Sequence, residues 1–135
     1  VGMNIADKAR LFAEARRVLK PGARFGLYEA MRGGDGDVAY PLPWADGDAT
    51  SFVETPDTYR RLLAAAGFTV EHEADRSALV SEIGRKMREH VATSGPPPVG
   101  LQILLGPSMS ARIANVMAAV DAGAIVPTEI IARAV

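Results

Sequence analysis

Three side chains in the first third of this sequence are of types that can hold a cation. Glu29 stands near the carboxyl end of a strand-like run, where its carboxylate could hold an ammonium or another polar group. It could equally be a surface carboxylate beside Arg32, which is the commoner use of such a residue. Tyr40 and Trp44 flank the segment YPLPWA (Tyr40 to Ala45) and could pack around a methylated amine, because aromatic faces attract such cations. Trp44 is the only tryptophan, and a half-buried indole that anchors its own loop is an equal alternative.

Other chemistry-bearing residues read more plainly. Asp35 and Asp37, like Asp46 and Asp48, are spaced as D-G-D, but neither run completes a calcium loop, and turn chemistry explains both. His72 and His90 have no partner spacing that suggests a metal site or a catalytic triad, so both read as structural or surface residues. Gly33, Gly34 and Gly36 follow a strand without opening a helix, which argues against a nucleotide loop. The charges from Arg85 to Arg88 fit a solvated helix face. Asn115, within an apolar helix face, could reach a substrate pocket or bond a neighbouring carbonyl; the second is the commoner use.

The composition bounds the partners. Fifteen Lys and Arg against 16 Asp and Glu leave no global field that favours nucleic acid or an anionic membrane. Cysteine is absent, which excludes disulfides and thiolate metal sites. No apolar run is expected to reach the roughly 20 residues of a spanning helix, and no signal-peptide pattern opens the chain, so the expectation is a cytoplasmic protein with no nucleic-acid or membrane partner. The chain starts at Val1 rather than at an initiator Met, which fits a processed or partial product. At 135 residues it reads as one domain, 1–135, with 76–123 as a helical insertion or lid.

The elements that must position these residues alternate. Asp7 to Lys20 has helical spacing of Leu11, Phe12, Ala15, Val18 and Leu19, with Lys8 among the residues of the polar surface. Asp7 caps it, and Pro21 and Gly22 stop it. Arg24 to Met31 lacks a clean polar face, which suits an interior strand covered on both sides, with Tyr28 in the core. Its preceding partner strand would have to come from Val1 to Ile5. Gly33 to Thr50 is a long loop. Pro56 opens a second helix that stops at Gly67, and Phe68 to Glu73 alternates as a strand. An amphipathic helix over Ser77 to Val91, a stiff connector at SGPPPVG, a helix near Ser108 to Ala122 and a closing strand from Ala124 to Val135 complete the chain.

Taken together, MNIADKARLFAEARRVLKPGARFGLYEA, YPLPWA and the Tyr59 to Val70 segment YRRLLAAAGFTV resemble the C-terminal half of a class I S-adenosylmethionine-dependent methyltransferase. The branch acting on glycine- or sarcosine-type amines and ubiquinone precursors is the nearest in flavour. The resemblance is strong from Gly2 to about Glu73 and weaker beyond. It implies an α/β fold: a partial Rossmann-like sheet of C-terminal strands with flanking helices, lacking the N-terminal cofactor-binding half. The strand at Arg24 would be inner, the last strand would run antiparallel beside it, and the strand at Phe68 would form the outer edge.

The resemblance also implies S-adenosylmethionine as cofactor and a small-molecule methyl acceptor as partner. Neither the glycine-rich loop nor the acidic residue that hold that cofactor is matched here, so weak or no binding by the isolated chain is expected. Gly2, Met3 and Asn4 would line the cofactor side, with Met3 as core and Asn4 as helix entry the plainer alternatives. Asn4, Glu29, Tyr40 and Trp44 would face the acceptor. Methyl transfer needs alignment and water exclusion rather than a covalent residue, so no catalytic residue is expected. An uncovered edge on the Arg24 strand would favour a homodimer or association with a missing half. Two other readings stand: a non-catalytic remnant serving as an interaction or dimerisation module, and another nucleotide-dependent enzyme of doubly wound fold.

Overall fold

The computed structural model describes residues 1–135. Asp7 opens the first helix as its position predicts, its carboxylate accepting the Arg10 amide at 2.9 Å. Helix α1 runs Lys8–Val18, two residues short of the predicted end, and Gly22 at φ 81° turns the chain into β1, Arg24–Arg32. Thr55 and Pro56 start the second helix: the Thr55 hydroxyl accepts the Thr58 amide at 3.2 Å, and α2 runs Pro56–Ala65. Gly67 at φ 87° leads into β2, Phe68–Asp75. Three helices follow, α3 (Ser77–Ser94), α4 (Leu101–Leu105) and α5 (Met109–Asp121), before β3, Ile125–Ala134. The short α4 lies just after the proline-rich connector, in residues to which the sequence reading assigns no element.

The strands form one open sheet in the order β1-β3-β2, with β3 antiparallel to both neighbours. Phe25 pairs with Ala132 and Met31 with Val126; on the other side Phe68 pairs with Ala134, and a bulge falls between Val70 and His72. This is the expected α/β arrangement, with the last strand antiparallel beside the Arg24 strand and the Phe68 strand at the edge.

Two expectations about β1 are corrected. Val1 to Ile5 supplies no partner strand, since Gly2–Asn4 form a 3-10 turn. Nor is β1 covered on both sides. Phe25, Leu27, Glu29 and Met31 face α1 and α2, whereas Gly26 and Tyr28 lie open on the opposite face, Tyr28 being 57% exposed rather than core. The outer edge of β1 has one backbone partner, the Arg32 amide donating to the Glu54 carbonyl at 2.9 Å.

The main core lies between the sheet and α1–α2. Phe12 meets Tyr59 edge-on at 5.6 Å and Phe25 at 6.5 Å, and Phe25 in turn lies 5.5 Å from Phe68. Leu27, Met31, Leu63, Ile130, Ala132 and Ala134 complete this cluster. A smaller one, built on Ala119, Val120, Ala124 and Ile125, covers only the Arg32 end of the other face. From α3 only Val80 packs against it; Leu79, Ile83, Met87 and Val91 are exposed, as are Leu101, Ile103 and Leu104. The residues Leu101–Asp121 are long and apolar enough to cross a membrane by length and composition, contrary to the sequence expectation. The 3-10 turn Gly106–Ser108 divides them, however, and the 13 residues of α5 extend about 20 Å against a hydrocarbon layer of about 30 Å.

Candidate functional site

The pleat of β1 brings Glu29 onto the α1–α2 face, where it pairs in register with the buried Thr128. Its carboxylate is buried, 6% exposed, so the reading as a surface group beside Arg32 is overturned. Arg32 points to the opposite face and donates to the Gly36 carbonyl. The Gly2 amide donates to Glu29 Oε1 at 2.8 Å, and the Val1 amino group lies 3.2 Å from the same oxygen. The chain segment before α1 is thus folded onto the carboxyl end of β1, the end at which open α/β sheets bind ligands.

Two residues that the sequence pattern assigned elsewhere complete this cluster. Lys8, expected on the polar surface, is 3% exposed; its ammonium donates to the Ile5 carbonyl at 2.9 Å and to the Phe52 carbonyl, and lies 5.8 Å from the Tyr59 ring centre. Burial lowers its pKa, opposed by Glu54 and Glu29. Tyr59 is fully buried, and its hydroxyl is the one buried side-chain polar atom without a hydrogen-bond partner. Burial, reinforced by Glu29 and Glu54, drives its pKa far above the ordinary phenol value, so it stays a neutral donor. A Cβ built on Gly2 would stand 2.7 Å from that hydroxyl and 3.1 Å from the Glu29 carboxyl carbon. Only glycine fits between them.

The aromatic loop joins this cluster through the two residues that follow it. Phe52 donates its amide to the Met3 carbonyl at 2.8 Å, and Ser51 accepts the Trp44 indole N–H at 3.0 Å. Met3 is half-buried and Asn4 exposed. Trp44 lies in a cleft of about 300 Å³ with Pro43, Asp46, Thr50, Leu104, Leu105 and Arg112. That lining includes neither Glu29 nor Tyr40, which is itself half-buried. Gly2 and Glu29 are therefore in direct contact, whereas Trp44 belongs to a second site linked to them by Ser51 and Phe52. Asn115 donates to the Pro41 carbonyl at 2.9 Å, the commoner of its two readings. No three His, Asp or Glu side chains converge on a point that could hold a metal ion.

Solved structures supply the wider setting. No protein-family model matches the sequence, and neither does any curated protein. Geranyl diphosphate C-methyltransferase from Streptomyces coelicolor A3(2), with S-adenosyl-L-homocysteine bound, superposes with a TM-score of 0.70 at 17% identity, over 99% of this chain and 43% of that one. Phosphoethanolamine N-methyltransferase 2 of Haemonchus contortus, with S-adenosyl-L-methionine, gives 0.68 at 14%, over 99% and 31%. The chain has a methyltransferase-type fold. It spans less than half the length of each of these neighbours. The (4+2)-cyclase SpnF also shares this methyltransferase-type architecture, with a TM-score of 0.61 at 22% identity over 98% of this chain and 46% of its own. One fold therefore serves more than one reaction, and activity has to be argued from the residues.

Proposed function

We propose that this chain is the C-terminal portion of an S-adenosylmethionine-dependent methyltransferase that acts on a small-molecule acceptor. The observation that carries the reading is the sheet order β1-β3-β2 with β3 antiparallel, in a chain that superposes nearly whole on less than half of methyltransferases solved with that cofactor or its product. The polar cluster at the carboxyl end of β1 supports it further.

The residues present fit one side of such a cofactor. The close packing at Gly2 over the buried, orphaned Tyr59 hydroxyl keeps the turn narrow, and Asn4 stands exposed on it. In this reading Gly2, Met3 and Asn4 line the cofactor side; of the residues expected to face the acceptor, Asn4 is exposed, Glu29 lies buried beneath Gly2, Tyr40 is half-buried, and Trp44 lines the separate cleft. The cofactor, when bound, supplies an electrophilic methyl group on a sulfonium. What this chain would contribute is orientation and exclusion of water: the Glu29 carboxylate holds the 2–4 turn through the Gly2 amide, and Trp44, in its own cleft, offers an aromatic face to an alkylated cation. No residue is required to form a covalent bond.

Titration with S-adenosylhomocysteine, followed by backbone amide shifts, tests this. Weak binding at most is expected of the isolated chain, with any shifts confined to Gly2–Ile5 and Tyr28–Arg32. Saturating shifts elsewhere would overturn it, and no shift at all at high micromolar ligand would favour a non-catalytic remnant.

A second reading, a non-catalytic association module, is favoured by the uncovered edge of β1 and by the exposed apolar residues of α3 and α4. Light scattering after size-exclusion chromatography separates it: a monomer at all concentrations tells against self-association.

A further inference from the structure

The segment that carries Trp44 is a tight turn. Leu42 donates its amide to the Ala45 carbonyl at 2.8 Å and Ala45 returns one to Leu42 at 3.2 Å, so Pro43 and Trp44 form the tip. Leu42 and Ala45 are buried, at 0% and 4% exposure, which roots the turn in the protein. Each of the two carbonyls keeps a second lone pair, and one side chain takes both. Arg112 Nη1, on α5, donates to the Leu42 carbonyl at 2.6 Å and the Ala45 carbonyl at 3.5 Å. Its Nη2 pairs with Asp46, the residue after the turn, and its Nε donates to the Ser108 hydroxyl at 2.8 Å. Ser108 in turn donates to the Leu105 carbonyl at 2.9 Å, at the end of α4. The planar fork of the guanidinium thus reads the turn, its flank and the α4–α5 junction at once.

We propose that Arg112 is the positioning residue for Trp44: it grips the 42–45 turn so that the indole and the α4–α5 helices move as one body. The bearing of this on the acceptor rests on the methyl-transfer reading; the grip itself does not. Asn115, one helical turn along α5, adds a bond to the Pro41 carbonyl just before the turn. The arrangement couples the Trp44 cleft to any displacement of the helices, because Leu104, Leu105 and Arg112 form its other wall.

Trp44 is the only tryptophan, so intrinsic fluorescence reports on this position alone. In the full chain, Arg112→Met is expected to raise the acrylamide quenching constant of the native protein about twofold through local release of the turn, and to shift emission to the red, with the far-ultraviolet circular dichroism unchanged. Arg112→Lys, whose ammonium lacks the fork, is expected to fall between. Ser81→Ala, which removes the Ser81–Asp121 bond between α3 and α5, is the control: stability falls while native-state quenching stays at the wild-type value. Wild-type quenching in folded Arg112→Met overturns the proposal, as does an equal rise in Ser81→Ala. Should Arg112→Met fail to fold, Arg112→Lys decides, and wild-type quenching there overturns it. None of these readouts depends on methyl transfer, so failure here leaves the functional reading standing, and the converse also holds.

Discussion

The Tyr59 hydroxyl is packed so closely against the α-carbon of Gly2 that a methyl group there would stand 2.7 Å from it. The same hydroxyl is buried and has no hydrogen-bond partner. The turn before α1 is therefore seated by shape on an unsatisfied polar atom. A buried hydroxyl left unpaired costs about 1–3 kcal/mol. Tyr59→Phe keeps the ring contact with Phe12 and is expected to leave stability unchanged or raise it by about 1 kcal/mol. Gly2→Ala is expected to destabilise, by up to about 1–3 kcal/mol if the turn stays seated. The loss shrinks in the Tyr59→Phe background, which removes the clashing oxygen. Urea denaturation of the four proteins of this cycle measures the coupling; additive effects would show that the two groups do not meet.

Lys8 supports the same turn from below. Its stem is buried, and its ammonium joins Ile5, just past the turn, to Phe52, which follows the aromatic loop. Lys8→Met preserves most of the stem packing but leaves two carbonyls without their donor, for a loss of about 1–3 kcal/mol. Lys8→Ala also loses the packing and is expected to cost more. The order wild type, Met, Ala in denaturation midpoints checks this. A Met variant as stable as wild type would mean that water replaces the ammonium.

Much of the frame was legible because its signals are local. Asp7 marks a helix start through a bond three residues away and Pro56 through its fixed φ at the first helical position, and Gly22 and Gly67 mark stops through backbone freedom at one position. The strand order was legible only through the family resemblance, since neighbours such as Phe25 and Ala132 are too far apart in sequence for periodicity to pair them. Lys8 was misassigned for the same reason. On a helical wheel it belongs to the polar face, and its burial is decided by Phe52, 44 residues on. Arg112 escaped notice because the turn it grips presents carbonyls, and its partner Asp46 lies 66 residues away in sequence, so no local pattern reveals either. Tyr28 looked like core because β1 was expected to be covered on both faces, whereas the helices after β2 reach only its Arg32 end.

Glu71 carries the pH dependence of the exposed sheet face. Its carboxylate pairs with Arg133 and, at 2.9 Å, with Arg24, so all three strands meet there. The Arg133 hydrogen bond, joined by Arg24, lowers its pKa in the folded state. A folded pKa below the unfolded one gives stabilisation that is present above the unfolded value, about 4.3, and is lost as pH falls through the folded value. Glu71→Gln is expected to melt below wild type at pH 7, with the gap closing as pH falls below the unfolded value, and 1 M salt is expected to narrow the gap at pH 7. Parallel melting curves across that range would show that the pairs add nothing.

Tyr28 tests the association reading at the sheet edge. Its side chain stands open on β1, and the backbone edge beside it is uncovered apart from the Arg32–Glu54 bond near its end. A charged residue on such an edge discourages strand addition, because pairing would bring it against a second strand and strip its water. Tyr28→Lys exchanges one exposed side chain for another and is expected to change the melting temperature little. If two copies join along β1, the same substitution lowers the apparent mass at a fixed concentration in light scattering. Exposed Met87 on α3 provides the contrast, since Met87→Glu touches no part of the edge. An associated state that Met87→Glu dissolves and Tyr28→Lys leaves intact would move the interface from the sheet to α3.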